Sequence, residues 1–216
     1  MTIEELQHAI GVTVDGKFGP ASKAALIAKF TNANAPAVTP ADMTILASRL
    51  GCTVQQIKAV AQVESGGSGF DNSGRPKILY ERHLFHRLTG GKWSPSPFSQ
   101  TSGGGYNEPS WDKLASACAR DPDVAFSAVS WGKFQVLGLH WSKLGYASPY
   151  ELAYSTVDSE YAHYELLVRY IETFGLVDDI RRISSDPADC IGFAQGYNGP
   201  AFRRFDYHTK IARGMS

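Results

Sequence analysis

The chain has 216 residues, 43% of them hydrophobic, which suits one medium domain or one domain with a small appendage. Its 21 basic and 21 acidic side chains cancel, so overall charge points to neither nucleic acid nor an anionic membrane surface as a partner. No apolar run approaches the roughly eighteen residues a membrane-spanning helix needs, so stable membrane insertion is not expected.

Residues 3–10 read as an amphipathic helix with Ile3, Leu6 and Ile10 on one side. VDGKFGP follows as a turn, and residues 20–30 form a second helix whose apolar positions include Ala24, Ile27 and Phe30. The opening MTIEELQHAIG carries early acids and lacks the basic-then-apolar layout of a secretory signal, so synthesis as a soluble cytoplasmic chain is expected. TNANAPAVTP, residues 31–40, is small, polar and proline-bearing, and makes the best linker. It divides a short segment, 1–35, from a main domain, 36–216. Thr39 and Pro40 then open a helix that runs to Leu50 and stops at Gly51.

TVQQIKAVAQVESGG, residues 53–67, reads as a helix ending in a carboxylate. Thr53 is its N-cap. Val54, Ile57, Val60 and Ala61 mark its apolar stripe, and Glu64 projects from that stripe four residues beyond Val60. Partial desolvation and the negative end of the helix dipole both favour the protonated carboxyl. A Glu raised from about 4.3 to about 6 is protonated in roughly one molecule in ten at neutral pH, enough for a general acid. The alternative is a helix-terminal Glu turned to water.

Residues 70–109 are rich in Gly, Pro, Ser and Asn. KILYERH, residues 77–83, is strand-like; if extended, Lys77, Leu79, Glu81 and His83 share one side. Glu81 is then a second carboxylate in a groove-forming region, or the partner of Lys77, Arg82 or Arg87 in a surface ion pair. Residues 89–106 form an irregular loop of the length that usually carries function. Helices resume over 111–121 and 122–130. WGKFQVLG, 131–138, is a glycine-bounded break. Residues 149–174 read as one long helix and 188–197 as another, ended by Asn198-Gly199-Pro200, and the last helix starts near Asp206 or Tyr207. The fold class is mainly α, with a small β region.

Two other chemistries are weighed. Cys52 lies before a helix N-terminus, where a thiolate is favoured, but a cysteine peptidase needs a His that spacing cannot place. A buried thiol is the simpler reading. Cys52, Cys118 and Cys190 are distant and odd in number, against a disulfide framework or a clustered zinc site. His83 and His86 stand three apart and could share a helix face, yet no third ligand is spaced for a zinc peptidase. Neither metal nor cofactor is expected.

LQHAIGVTVDGKFGPASKAALIAKF resembles the core of small peptidoglycan-binding modules with their DG-x-FG signature, matched at Leu6, Gln7, Asp15, Gly16, Phe18, Gly19, Ala24 and Phe30. Their preceding helix is missing here. The likeness implies wall binding involving Asp15 and Phe18; a hairpin docked on the main domain is the other reading.

VESGGSGFDNSGRPKILYERHLFHRL, SWGKFQVLGLHW and FAQGYNGPAF, in that order, resemble the N-acetylmuramidase domain of endolysins from phages of Gram-negative bacteria, within the lysozyme-like superfamily. The likeness covers residues 40–216. It implies a lysozyme-like helical domain with a small β region. It also implies a glycosidase cutting the β-1,4 bond between N-acetylmuramic acid and N-acetylglucosamine of peptidoglycan. Glu64 matches the catalytic acid, and Glu81 falls where a second acid is expected. Ser130, Trp131, Gly132 and Gln135 match the cleft turn, and Tyr197 and Asn198 match the pair lining its floor. Phe134, Trp131 and Tyr106 offer ring faces to sugars. Gln195-Gly196 departs from the family, which often carries a larger residue there. The likeness further implies a monomer made in the host bacterial cytoplasm, released by a holin-type pore and acting on the periplasmic wall. A lytic transglycosylase giving anhydro-muramic products, a chitinase-like enzyme and a non-catalytic wall-binding protein are the rivals. Whether the anomeric configuration is retained or inverted stays open.

Overall fold

A computed structural model describes residues 1–64, 67–93 and 109–216, the side chain of Glu64 excepted. In chain order the helices are α1 Ile3–Ile10, α2 Pro20–Lys29, α3 Pro40–Leu50, α4 Val54–Glu64, α5 Arg82–Leu88, α6 Ser110–Cys118, α7 Pro122–Ser127, α8 Pro149–Ser155, α9 Glu160–Thr173, α10 Val177–Arg182, α11 Ile191–Asn198 and α12 Tyr207–Gly214. The strands are β1 Ile78–Tyr80, β2 Val129–Trp131 and β3 Val136–Leu137, antiparallel in the order β1-β2-β3. This matches the mainly α arrangement with a small β region that the sequence predicts. The chain forms two compact units, Met1–Ala35 with Phe70–Asp158, and Pro36–Gly69 with Ser159–Ser216.

The first unit is held by an aromatic core. Phe30, at the end of α2, lies 5.5 Å from Trp111, 5.9 Å from Phe126 and 5.8 Å from Trp131 between ring centroids. Residues 1–35 therefore share a core with residues 70–158. The two are also stitched by Asn32. Its amide N–H groups donate to the carbonyls of Val157 and Asp158, both at 3.0 Å, and its backbone N–H donates to Gly74 at 2.8 Å.

The strand expected over residues 77–83 is only three residues long. The Glu81 N–H donates to the Ala128 carbonyl at 2.8 Å, one step past the Tyr80–Val129 pair, and the Glu81 carbonyl then accepts from Leu84 and Phe85. The chain turns into α5 there because Tyr80, Leu84 and Phe85 bury at helical spacing. Glu81 and His83 consequently do not share a strand face with Lys77 and Leu79. The helix expected over 122–130 ends at Ser127, and the glycine-bounded break is the β2–β3 hairpin, with Trp131 opposite Val136.

The described elements of the second unit are all helices. The Thr53 cap of α4 holds: its hydroxyl accepts from the Gln56 N–H at 3.2 Å, and the Gln56 amide oxygen accepts from the Thr53 N–H at 2.8 Å. The Gln56 amide N–H groups bond the Arg181 and Ile183 carbonyls at 2.8 and 3.0 Å, tying the start of α4 to the end of α10. Ile57, Val60 and Ala61 are buried. Helix α12 packs on α4. At their crossing a Cβ on Gly214 would stand 2.9 Å from the Ala59 Cα, so only glycine permits this approach. The long helix expected over 149–174 is two helices lying one in each unit, α8 and α9. Ser159 takes extended backbone and its hydroxyl accepts from the Ala162 N–H at 3.2 Å, so it caps a new helix rather than continuing the old one. Helix α10 was not anticipated; at six residues it shows little periodicity.

Candidate active site

Residues that the sequence motifs single out occur in both units. In the second unit Glu64 is the last residue of α4, as expected. Its side chain, with Ser65, Gly66 and Tyr106, lies outside the described residues. Tyr197 and Asn198 form the final turn of α11. The Tyr197 ring is half-buried, 5.0 Å from Tyr170 edge-on and 5.7 Å from Phe193 in a stack, which fixes its orientation. Gly199 follows at φ 71°, ψ −169°, a conformation essentially reserved for glycine, so the Gly-Pro turn after the Tyr-Asn pair is set by backbone geometry. A Cβ at 196 would lie 2.3 Å from the Leu176 Cδ2, so a larger residue there requires that side chain to shift.

In the first unit Glu81 sits at the junction of β1 and α5, mostly buried at 17% side-chain exposure, with its Oε2 3.5 Å from His83 Nδ1. Gln135 occupies the hairpin between β2 and β3 and is exposed. Its φ is 52°, rare for a residue with a side chain and a store of backbone strain of the kind found at functional turns. The Gln135 amide N–H donates to the Gly132 carbonyl at 2.8 Å, and the Gly132 N–H donates to Lys77 at 2.8 Å. Gln135 is thus fixed near the Lys77 end of β1 and Glu81 at the other end. The four residue steps from Lys77 to Glu81 make roughly 13 Å of extended backbone, so the sheet does not bring the two together.

The remaining motif residues make packing, strand or turn contacts. Trp131, expected as a cleft ring, is fully buried; its indole N–H donates to the Phe126 carbonyl at 3.1 Å, and the rings of Phe30, Trp111 and Phe126 surround it. Phe134 is buried too. Ser130 is the middle residue of the central strand, paired with Leu79 and Leu137, and sits at the border of burial. Phe18 is buried. Asp15 serves its turn: its carboxylate accepts from the Gln7 amide at 2.7 Å and the Lys17 N–H at 2.9 Å, which together hold its carboxyl below the usual 3.8. Gln7, fully buried and also accepting from the Asp15 and Gly16 N–H groups, organises the turn.

Sequence reasoning passed over one buried acid, Glu160, in the first turn of α9. An acid there is an ordinary helix-dipole feature, so no sequence signal separates it from a surface residue. Among the described residues no group of three or more His, Cys, Asp or Glu side chains is placed to hold a metal. Burial pushes the Cys52 thiol up, against a resting thiolate nucleophile. No helix among the described residues is long and apolar enough to cross a membrane.

The sequence model of the N-acetylmuramidase family matches residues 53–216. Among solved structures the chain is similar to the crystal structure of the Burkholderia AP3 phage endolysin, with a TM-score of 0.74 and 31% identity over 99% of this chain and 82% of that one. A comparison with curated proteins finds no match. The fold is lysozyme-like, and the chain belongs to the N-acetylmuramidase family of glycoside hydrolases.

Proposed function

We propose that the chain cleaves the β-1,4 bond between N-acetylmuramic acid and N-acetylglucosamine in peptidoglycan, with Glu64 as general acid, and so lyses the bacterial host of a phage. The observation that carries this reading is the span of the family match. It begins at the Thr53 cap of the helix ending in Glu64, and it includes Glu81, the 130–135 turn and the Tyr197-Asn198 pair.

Cleavage requires a proton on the leaving oxygen while positive charge grows at the anomeric carbon. Glu64 supplies the proton. Glu81 acts as the carboxylate that stabilises the charge or activates water. Gln135 has its amide N–H committed to Gly132, so its oxygen is the group offered to an acetamido N–H. The Tyr197 hydroxyl and Asn198 hold sugar hydroxyl and acetamido groups. Ser130 shapes the sheet behind the turn, and Trp131 supports it from the core.

Residues 1–35 contribute wall contact from the turn that Asp15 and Phe18 hold, beside a cavity of about 650 Å³ lined by Gln7, Val12, Thr13, Asp15 and Lys17. The protein works as a monomer, is made in the host cytoplasm, passes the inner membrane through a holin-type pore and acts in the periplasm.

Mass spectrometry of digested, purified peptidoglycan tests the chemistry. Reducing muramic ends are expected. Anhydro-muramic ends mean a lytic transglycosylase, in which the substrate's acetamido group attacks; reducing glucosamine ends mean the other glycosidic bond; no new ends mean a wall-binding protein.

A further inference from the structure

We propose that Glu160 is a positioning residue for Glu64: a buried carboxylate that anchors Gly69, five residues beyond the end of the helix that carries the acid. This rests on the reading of Glu64 as the acid.

The geometry is specific. Glu160 is the first residue of α9 and only 9% exposed. Both of its carboxylate oxygens accept from the Gly69 N–H, Oε2 at 3.1 Å and Oε1 at 3.3 Å, and Gly69 is itself buried. The Glu160 backbone N–H donates to the Pro36 carbonyl at 3.0 Å. Pro36 and Gly69 are the first and last residues of the stretch that carries α3 and α4 in its unit. One residue therefore clasps that stretch at both ends. Its own direction is set by the Ser159 cap on the first turn of α9. Tyr164, one turn further on, is buried, and its hydroxyl is pushed up to about 12, by burial first and then by the negative charge of Glu160.

The consequence for Glu64 follows from chain mechanics. The last turn of a helix has carbonyls without intrahelical partners and frays unless something beyond it is held. Gly69 is five residues past Glu64, and five extended residues can span about 17 Å. Fixing the Gly69 N–H on a charged acceptor restricts that freedom, and charge-assisted hydrogen bonds are the stronger kind. An acid that must protonate one glycosidic oxygen tolerates little displacement; a 1 Å error can cost on the order of a hundredfold in rate.

The test compares Glu160→Ala, Glu160→Asp and Glu160→Gln in the full chain, each checked for folding by circular dichroism. Alanine removes the acceptor. Aspartate keeps the charge but withdraws it by about one methylene, roughly 1.5 Å, out of hydrogen-bond range. Glutamine keeps one oxygen in place. On purified peptidoglycan, Ala and Asp are expected to lower kcat at least ~10-fold with KM within about 2-fold, while Gln stays within about 3-fold of wild type. Amide exchange at Gly69 should accelerate in Ala and Asp and stay slow in Gln. If the alanine variant does not fold, the contrast between Asp and Gln carries the comparison. Wild-type kcat in both Ala and Asp, or equal losses in Asp and Gln, overturns the proposal. A failure of the Glu64 reading looks different: Glu64→Gln would then cleave as wild type, while the Gly69 exchange pattern would still report on the clasp.

Discussion

Trp131→Phe separates a core ring from a sugar-stacking ring. Trp131 is fully buried, and its indole N–H is the donor to the Phe126 carbonyl at 3.1 Å. Phenylalanine leaves that carbonyl unpaired inside an aromatic cluster, at a cost of about 1–3 kcal/mol. The smaller ring also opens roughly 40 Å³, worth about 1 kcal/mol at the usual cavity coefficient. The sum, about 2–4 kcal/mol, corresponds to a fall in Tm of about 4–16 °C for a chain of this size. Differential scanning calorimetry measures it. Initial rates on purified peptidoglycan, taken well below the melting range, should show KM within about 2-fold of wild type, because a ring with no exposed face contributes no ground-state binding. An unchanged Tm together with a raised KM would refute this placement and return Trp131 to the cleft.

Three further outcomes are expected. Asn32→Ala removes two amide hydrogen bonds to Val157 and Asp158 and should cost about 1–3 kcal/mol, read in the same calorimetric scan; an unchanged Tm would show the stitch to be inert. The carboxyl of Asp15 is held down chiefly by the Gln7 amide and then by the Lys17 N–H, so its contribution to stability is present above its ordinary 3.8 and is lost as pH falls through the lower folded value. Below pH ~4 the wild-type Tm should decline more steeply than that of Asp15→Asn, which keeps the contribution of other low carboxyls such as Asp42, and parallel profiles would contradict it. Glu81→Gln should lower kcat at least ~100-fold if the carboxylate acts on the sugar ring, and a rate within about 3-fold of wild type would make Glu81 a structural partner of His83.

The sequence was most legible where local chemistry decides. Thr39 and Thr53 cap helices whose starts could be read residue by residue, and the helix ending at Glu64 has the predicted bounds. It was least legible where long-range contacts decide. Alternation over 77–83 and helical spacing over 80–85 coexist in the same residues, and the pairing of Glu81 with Ala128 settles which one holds. Val129 to Trp131 is too short a strand to outweigh the helical run before it. The joint between α8 and α9 was hidden because Ser159 is unremarkable inside a helix-like sequence until its hydroxyl is seen to cap. At the site, the motif carries residue types and says nothing of their exposure. Trp131 and Phe18 hold the elements that carry the turns, and nothing in the sequence distinguishes such a support from a contact. Glu160 was invisible for the converse reason, a buried acid in a position where exposed acids are common.

Glu64→Gln on purified peptidoglycan is the most direct measurement of whether this chain cuts the glycan by proton donation from the end of α4. The substitution is near-isosteric and removes only the transferable proton. Release of reducing ends is expected to fall at least ~100-fold with circular dichroism and Tm unchanged. Wild-type release by the folded variant would contradict the assignment.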